Sequence, residues 1–311
     1  MNGGASAPHG PNLSKVLAGK GARLLALDGG GVKGVSSVLI LKAIMDRVRY
    51  IEQRDGIDAS NDPRKPADYF HLAGGTSTGG LIALMLFRLH MDTDQCLLAY
   101  RTLASQIFAA PAILGLPLPG LLGKAALAAN AWFQGSQFSG KPLEDAITQV
   151  VDQYSNEDPQ FKYNLVSPNA RKMFMCATVK DKGESILLRS YIRPADALPM
   201  TRAARDDDIV NGIGIVHAAR ATSAAPMYLP EEVWTTATSP NPLVFWDGGV
   251  LNNNPVEQLW NARYDLVERA QAPPAVNFVL SIGCGFSTVN NKPPLLNRML
   301  NTVSQFTERY L

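Results

Sequence analysis

The chain has 311 residues, 46% of them hydrophobic and 18% charged, which supplies one large core and excludes an intrinsically disordered protein. The formal net charge is +2, and Lys and Arg are scattered with no basic stripe or interleaved aromatics, which argues against a nucleic-acid partner. Three cysteines, Cys96, Cys176 and Cys284, are odd in number and lack metal-ligand spacing, so we expect neither a disulfide framework nor a zinc site, only reduced thiols in a reducing compartment.

Residues 1–20 carry Gly, Pro, Ser and Asn without the charged-then-apolar order of a signal peptide, and read as a flexible leader. Arg23–Leu27 is a short apolar run that ends at Asp28 and three glycines. Val35–Tyr50 follows with apolar residues at helical period, giving strand, glycine turn, helix. Residues 53–67, with Pro63 and Pro66, form a surface loop. Tyr69–Ala73 is a second apolar run ending in glycines, and Leu81–Leu89 continues as an apolar helix. From Thr102 to Gly140 the sole charge is Lys124, yet Pro111, Pro117 and Pro119 interrupt the stretch before the roughly 18 unbroken apolar residues of a spanning helix. Two readings stay open there: buried core with a loop, or an apolar flap that meets lipid.

Met173–Val179, Ser185–Tyr191, Leu243–Trp246 and Val276–Ile282 read as strands, and Ile213–Ala225 as a helix stopped by Pro226. Alternation of strands and helices predicts an α/β fold with a central, mostly parallel sheet sandwiched by helices. No repeat or linker divides residues 21–311, which are expected to form one domain. From Pro293 a helical pattern runs to an abrupt stop at Leu311, as in a module of a longer protein.

The first glycine turn, Gly29-Gly30-Gly31-Val32-Lys33-Gly34, satisfies the spacing of a dinucleotide fingerprint, but no second strand delivers a ribose-binding carboxylate about 20 residues on. A phosphate-binding P-loop needs lysine after Gly34, and the residue is Val35. The remaining readings are a plain structural turn, or backbone N–H groups gathered at a helix start, as an oxyanion hole requires. The second turn, Gly75-Thr76-Ser77-Thr78-Gly79, is G-x-S-x-G between strand and helix, the pattern of a nucleophile elbow. Of the histidines His9, His71, His90 and His217, none follows Asp247 in the chain, and His217 lies among alanines in a predicted helix. Asp247-Gly248-Gly249 closes a buried-looking strand and brings one carboxylate to a tight turn. Taken alone it is an ordinary Asp-Gly turn; beside an elbow without a histidine it becomes the candidate base.

DGGGVKG (28–34), GTSTGG (75–80), ARATSAAP (219–226), DGG (247–249) and SIGCG (281–285) together resemble the patatin-like phospholipase family over residues 21–290, in the style of fungal patatin modules. The resemblance implies a modified α/β hydrolase and a lipid acyl hydrolase of phospholipase A type, with an acyl-enzyme intermediate. The fungal likeness rests on DPRKPADYFHLAGGTSTGG (62–80) and NNNP (252–255). The family resemblance implies Ser77 as nucleophile, Asp247 as general base, and Gly30 and Gly31 amides, helped by Thr78, as oxyanion donors. It further implies a glycerolipid substrate, peripheral membrane contact, a cytoplasmic setting and regulatory domains beyond the C-terminus. No cofactor or metal is implied, and no EF-hand pattern is present, so calcium independence is expected. The alternative is a catalytically weak signalling module of a NOD-like receptor. Lys33 stands where the family often has arginine, and Cys284 where threonine is common. An aspartate base with a reference pKa near 3.9 is weak, so the dipoles are expected to bear the burden and no histidine limb near 6.5 is expected in the rate profile.

Overall fold

The computed structural model describes residues 21–107, 112–113, 116–117, 138–193, 212–235, 241–267 and 275–285. The leader, most of the apolar stretch from Thr102 to Gly140 and the helical pattern after Pro293 lie outside them.

A sheet forms the middle layer, with hydrogen-bonded pairing that passes from β7 (Glu232–Trp234) to β8 (Leu243–Asp247), β5 (Met173–Val179), β2 (Leu72–Thr76), β1 (Ala22–Leu27) and β9 (Val276–Ile282), and with β6 (Glu184–Arg189) also paired to β5. Strands β9, β1, β2, β5 and β7 run one way; β6 and β8 run the other. A short ribbon, β3 (Ala112–Ile113) and β4 (Leu116–Pro117), stands apart. The expected mostly parallel sheet between helices is therefore observed.

Strand β1 is apolar without a break from Leu24 to Leu27 because both its faces are covered. Leu25 and Leu27 face a core built with α1 (Gly34–Arg54), α3 (Thr78–Ala83), α4 (Thr93–Ile107), α5 (Lys141–Tyr154) and α6 (Ile215–Ser223). Ala22, Leu24 and Ala26 face a smaller core closed by Leu259 and Ala262 of α7 (Val256–Ala262). In α5 the buried Leu143, Ala146, Ile147, Val150 and Val151 recur at the spacing of one helix face, with Pro142 in the first turn, where its missing N–H costs nothing.

Three boundaries differ from the sequence expectation. Tyr69 ends a single helical turn, α2 (Pro66–Tyr69), and the strand begins at Leu72 and runs through Gly74 and Gly75 to Thr76. Gly74 belongs inside the strand because a Cβ there would lie 2.4 Å from the Phe174 ring on β5. The apolar helix expected over Leu81–Leu89 is regular only to Ala83; Leu84–Arg88 widens, with Leu89 N–H donating to Leu84 O at 3.0 Å. There Arg88 is buried and donates to the carbonyls of Phe161, Asn164 and Leu165. The helix expected over Ile213–Ala225 spans Ile215–Ser223, since Ile213 O instead accepts from Leu165 N–H.

Candidate active site

Strand β2 pairs with β5 as far as Thr76 opposite Cys176, and β8, running the opposite way, pairs with β5 from Phe245 opposite Val179 to Asp247 opposite Ala177. The other edge of β5 is taken by β6. Hence β2 and β8 lie end to end along one edge of β5, and the residues at their meeting tips are Ser77 and Asp247. That placement joins two turns 170 residues apart: Ser77 Oγ donates to Asp247 Oδ2 at 2.7 Å.

Ser77 sits at φ 53°, ψ −125°, a region that costs a side-chain-bearing residue of order 1–3 kcal/mol. The elbow is as tight as its glycines imply. A Cβ on Gly75 would lie 2.2 Å from Gly79 O, and one on Gly79 would lie 2.2 Å from Leu27 O. The chain enters α3 directly after the serine.

Asp247 is 6% exposed, and its second oxygen, Oδ1, accepts from Gly249 N–H at 2.6 Å. Burial pushes the carboxyl up from 3.8 to about 6, against the downward pull of the Ser77 hydroxyl and the Gly249 amide. The weak base expected from the free amino acid is therefore corrected: the folded site makes this carboxylate considerably more basic, because water is excluded from it. Gly248 adjoins the same strand, its N–H donating to Thr222 O at 3.3 Å.

The first glycine turn comes to the same place. Gly29 N–H donates to Asn253 O at 3.0 Å, and Gly30 N–H donates to the Thr78 hydroxyl at 3.0 Å. Gly31 takes φ +53°, which glycine adopts freely, and its carbonyl accepts from the Tyr100 hydroxyl at 2.5 Å. Gly34 opens α1 against the same tyrosine. Thus the glycine turn reaches the elbow, where a Cβ on Gly29 would lie 3.2 Å from Ser77 Cβ, and the Gly30 amide, expected as an oxyanion donor, already has a partner in the Thr78 side chain. Lys33 is exposed, and Cys284 lies behind the turn, its Sγ 3.2 Å from Ser37 Oγ.

His217 is placed elsewhere, bonded through Nδ1 to Glu232 Oε1 at 2.6 Å and set against the Trp234 ring. His71 accepts from Arg23 N–H, and His90 pairs with Asp68. Among the described residues no three His, Cys, Asp or Glu side chains cluster as a metal site requires. Cys96, Cys176 and Cys284 are free thiols. Tyr100, Thr222 and Asn253 are contributors that motif spacing did not single out. Thr222 belongs to ARATSAAP and Asn253 to the NNNP stretch at 252–255, but nothing in sequence says which backbone groups they meet.

Fold and site together define a helix-covered α/β sheet carrying a serine–carboxylate pair at an elbow. The sequence profile of the patatin-like phospholipase family matches residues 25–260, and the chain belongs to that family. It is 26% identical over 269 residues to phospholipase A I of Arabidopsis thaliana, a match covering 76% of this chain and 19% of that protein. It is 27% identical to calcium-independent phospholipase A2-gamma of Rattus norvegicus, over 76% of this chain and 25% of the relative. It is also 27% identical to patatin-like protein 1 of Oryza sativa subsp. indica, over 76% of this chain and 50% of the relative. The chain thus spans half or less of the length of these relatives.

Proposed function

We propose that this chain is a lipid acyl hydrolase that cleaves glycerolipid esters through Ser77 and Asp247. The observation that carries the reading is the 2.7 Å hydrogen bond from an elbow serine to a buried carboxylate. In the first step Ser77 Oγ bonds to the ester carbonyl carbon while Asp247 accepts the hydroxyl proton. The carbon–oxygen bond to the alcohol or lysolipid then breaks, and the departing oxygen takes that proton. Water next attacks the acyl-serine, again giving a proton to Asp247, which returns it to Ser77 as the fatty acid leaves. A base held near pKa 6 is largely ionised at neutral pH, ready to take a proton in each half-reaction.

The negative oxygen formed in each half-reaction is received by the amides of Gly30 and Gly31. The Thr78 hydroxyl that occupies the Gly30 amide is a neutral acceptor, and an oxyanion is the stronger one, so substrate displaces it. Peripheral lipid contact is assigned to the outer face of α1, which starts beside this turn. Between Lys33 and Arg47 its most exposed residues are Ser36, Leu39, Ile40 and Ala43, all uncharged, with Val32 preceding them and the Lys42–Asp46 ion pair, its carboxylate side chain 44% exposed, flanking them. Surface helices ordinarily turn charge to water. No described helix is long and apolar enough to cross a membrane. The two carboxylate–serine steps include no calcium, in keeping with the name of one relative.

The experiment is fluorophosphonate labelling of the protein beside Ser77→Ala, with mass spectrometry of products released from mixed phospholipid vesicles with and without a calcium chelator. Labelling at Ser77 and chelator-insensitive release of fatty acid, both lost in Ser77→Ala, support the reading. An unlabelled, inactive protein supports the signalling-module alternative and overturns it.

A further inference from the structure

The β5 ladder seats Thr76 opposite Cys176 and Asp247 opposite Ala177, but β2 and β8 do not pair with each other, and Ser77 lies one residue past its ladder, so its final seating against Asp247 draws on bonds from outside the sheet. The end of α6 reaches this junction. The Thr222 hydroxyl accepts from Ser77 N–H at 2.9 Å and donates to Cys176 O on β5 at 2.6 Å. The Thr222 carbonyl accepts from Gly248 N–H at 3.3 Å, and the Ala224 carbonyl accepts from Asp247 N–H at 2.9 Å. The last carbonyls of a helix have no partner within it, and here they receive the backbone of the Asp-Gly-Gly corner.

We propose that Thr222 is a positioning residue for the proposed dyad: its hydroxyl holds the backbone of the nucleophile and its carbonyl holds the corner that carries the base, which fine-tunes the Ser77–Asp247 distance that the β5 ladder brings within reach. The proposal rests on the serine–aspartate reading. A hydroxyl has one hydrogen, and once that is donated to Cys176 only lone pairs remain to face Ser77, so the direction of the second bond is fixed. Thr222 is fully buried and stands behind the elbow, so it acts through Ser77 and not on substrate. A second tie across the same junction, Thr76 Oγ1 donating to Asn252 O at 2.6 Å, holds the end of β2 but not the serine amide. The strained φ of Ser77 makes the tether matter, since an elbow without it relaxes toward ordinary backbone angles and withdraws the hydroxyl from Asp247.

The test compares Thr222→Val, which keeps the shape and removes the hydroxyl, with Thr222→Ser, which keeps the hydroxyl. For Thr222→Val we expect kcat to fall about 10- to 100-fold with KM within about twofold, the signature of misplaced reacting groups. Its acidic limb should also move to higher pH, because the Ser77 hydroxyl bond that holds the Asp247 pKa down is weakened. Thr222→Ser should keep kcat within about threefold of the parent and leave the limb in place. A Thr222→Val protein with unchanged kcat and limb, whatever its melting temperature, overturns the proposal. So does Thr222→Ser as slow as the loss expected of valine, a comparison that stands even where Thr222→Val fails to fold. Ser77→Ala separates the two levels: activity that survives it removes the dyad itself, whereas activity that needs Ser77 but ignores the Thr222 hydroxyl removes only the tether.

Discussion

Replacing Asp247 by asparagine should inactivate the protein and make it more stable. The carboxyl is 6% exposed and its pKa is raised from 3.8 to about 6 by burial. The folded form therefore binds this proton more tightly than the unfolded chain does. Stability contributed by the group is greatest below about pH 4, declines as pH rises to about 6, and stays at its lower level above that. At about 1.36 kcal/mol per pKa unit, the ionised carboxylate destabilises the fold at pH 7.5 by about 3 kcal/mol relative to its neutral form. Asparagine is neutral and nearly isosteric, and its oxygen still accepts from Gly249 N–H. Thermal unfolding at pH 7.5 should then show Asp247→Asn melting higher by several degrees, at about 2–4 °C per kcal/mol for domains of this size class. The gain should shrink to nothing near pH 4, where the parent carboxyl is protonated as well. Labelling of Ser77 by fluorophosphonate should be lost at every pH. An asparagine variant no more stable than the parent at pH 7.5, or one whose gain is the same at pH 4, would refute the burial argument.

The rate of ester hydrolysis should fall as pH drops through about 6, because Asp247 loses its basic form there. This limb lies close to where a histidine would titrate, so its position alone does not identify the base; His217→Gln should leave it unmoved, and a shifted limb would return the role to the histidine. For lipid contact, Leu39→Ser with Ile40→Ser removes two side chains that are 44% and 48% exposed on α1. Sedimentation with phosphatidylcholine vesicles should show binding weakened about tenfold or more, given about 1.5–3 kcal/mol for full burial of each side chain. Hydrolysis of a short soluble ester should be unchanged; equal vesicle binding would place the lipid surface elsewhere.

Much of this protein is legible in its sequence because the signals are local. The elbow announces itself as G-x-S-x-G because backbone packs on backbone at Gly75 and Gly79, leaving no room for a side chain. The strands β1, β5 and β9 are readable as short, largely apolar runs, and the joint order of the glycine turns points to the family that residues 25–260 match. Boundaries were harder. Gly74 and Gly75 read as a turn but lie in a strand, because the ring of Phe174 fills the space above Gly74.

Tertiary structure alone decided what the two turns do to one another. Sequence offered Ser77 and Asp247 as nucleophile and base, but with the chemistry of free residues and no distance between them. Only the antiparallel entry of β8 along the edge of β5 that β2 leaves brings them to 2.7 Å, and only the burial that results lifts the carboxyl to about 6. The same holds for Thr222 and Tyr100, whose partners are backbone groups from distant segments. Residue type states which bonds a side chain is able to make; which strand ends meet, and how much water remains between them, depends on contacts between residues far apart in the chain.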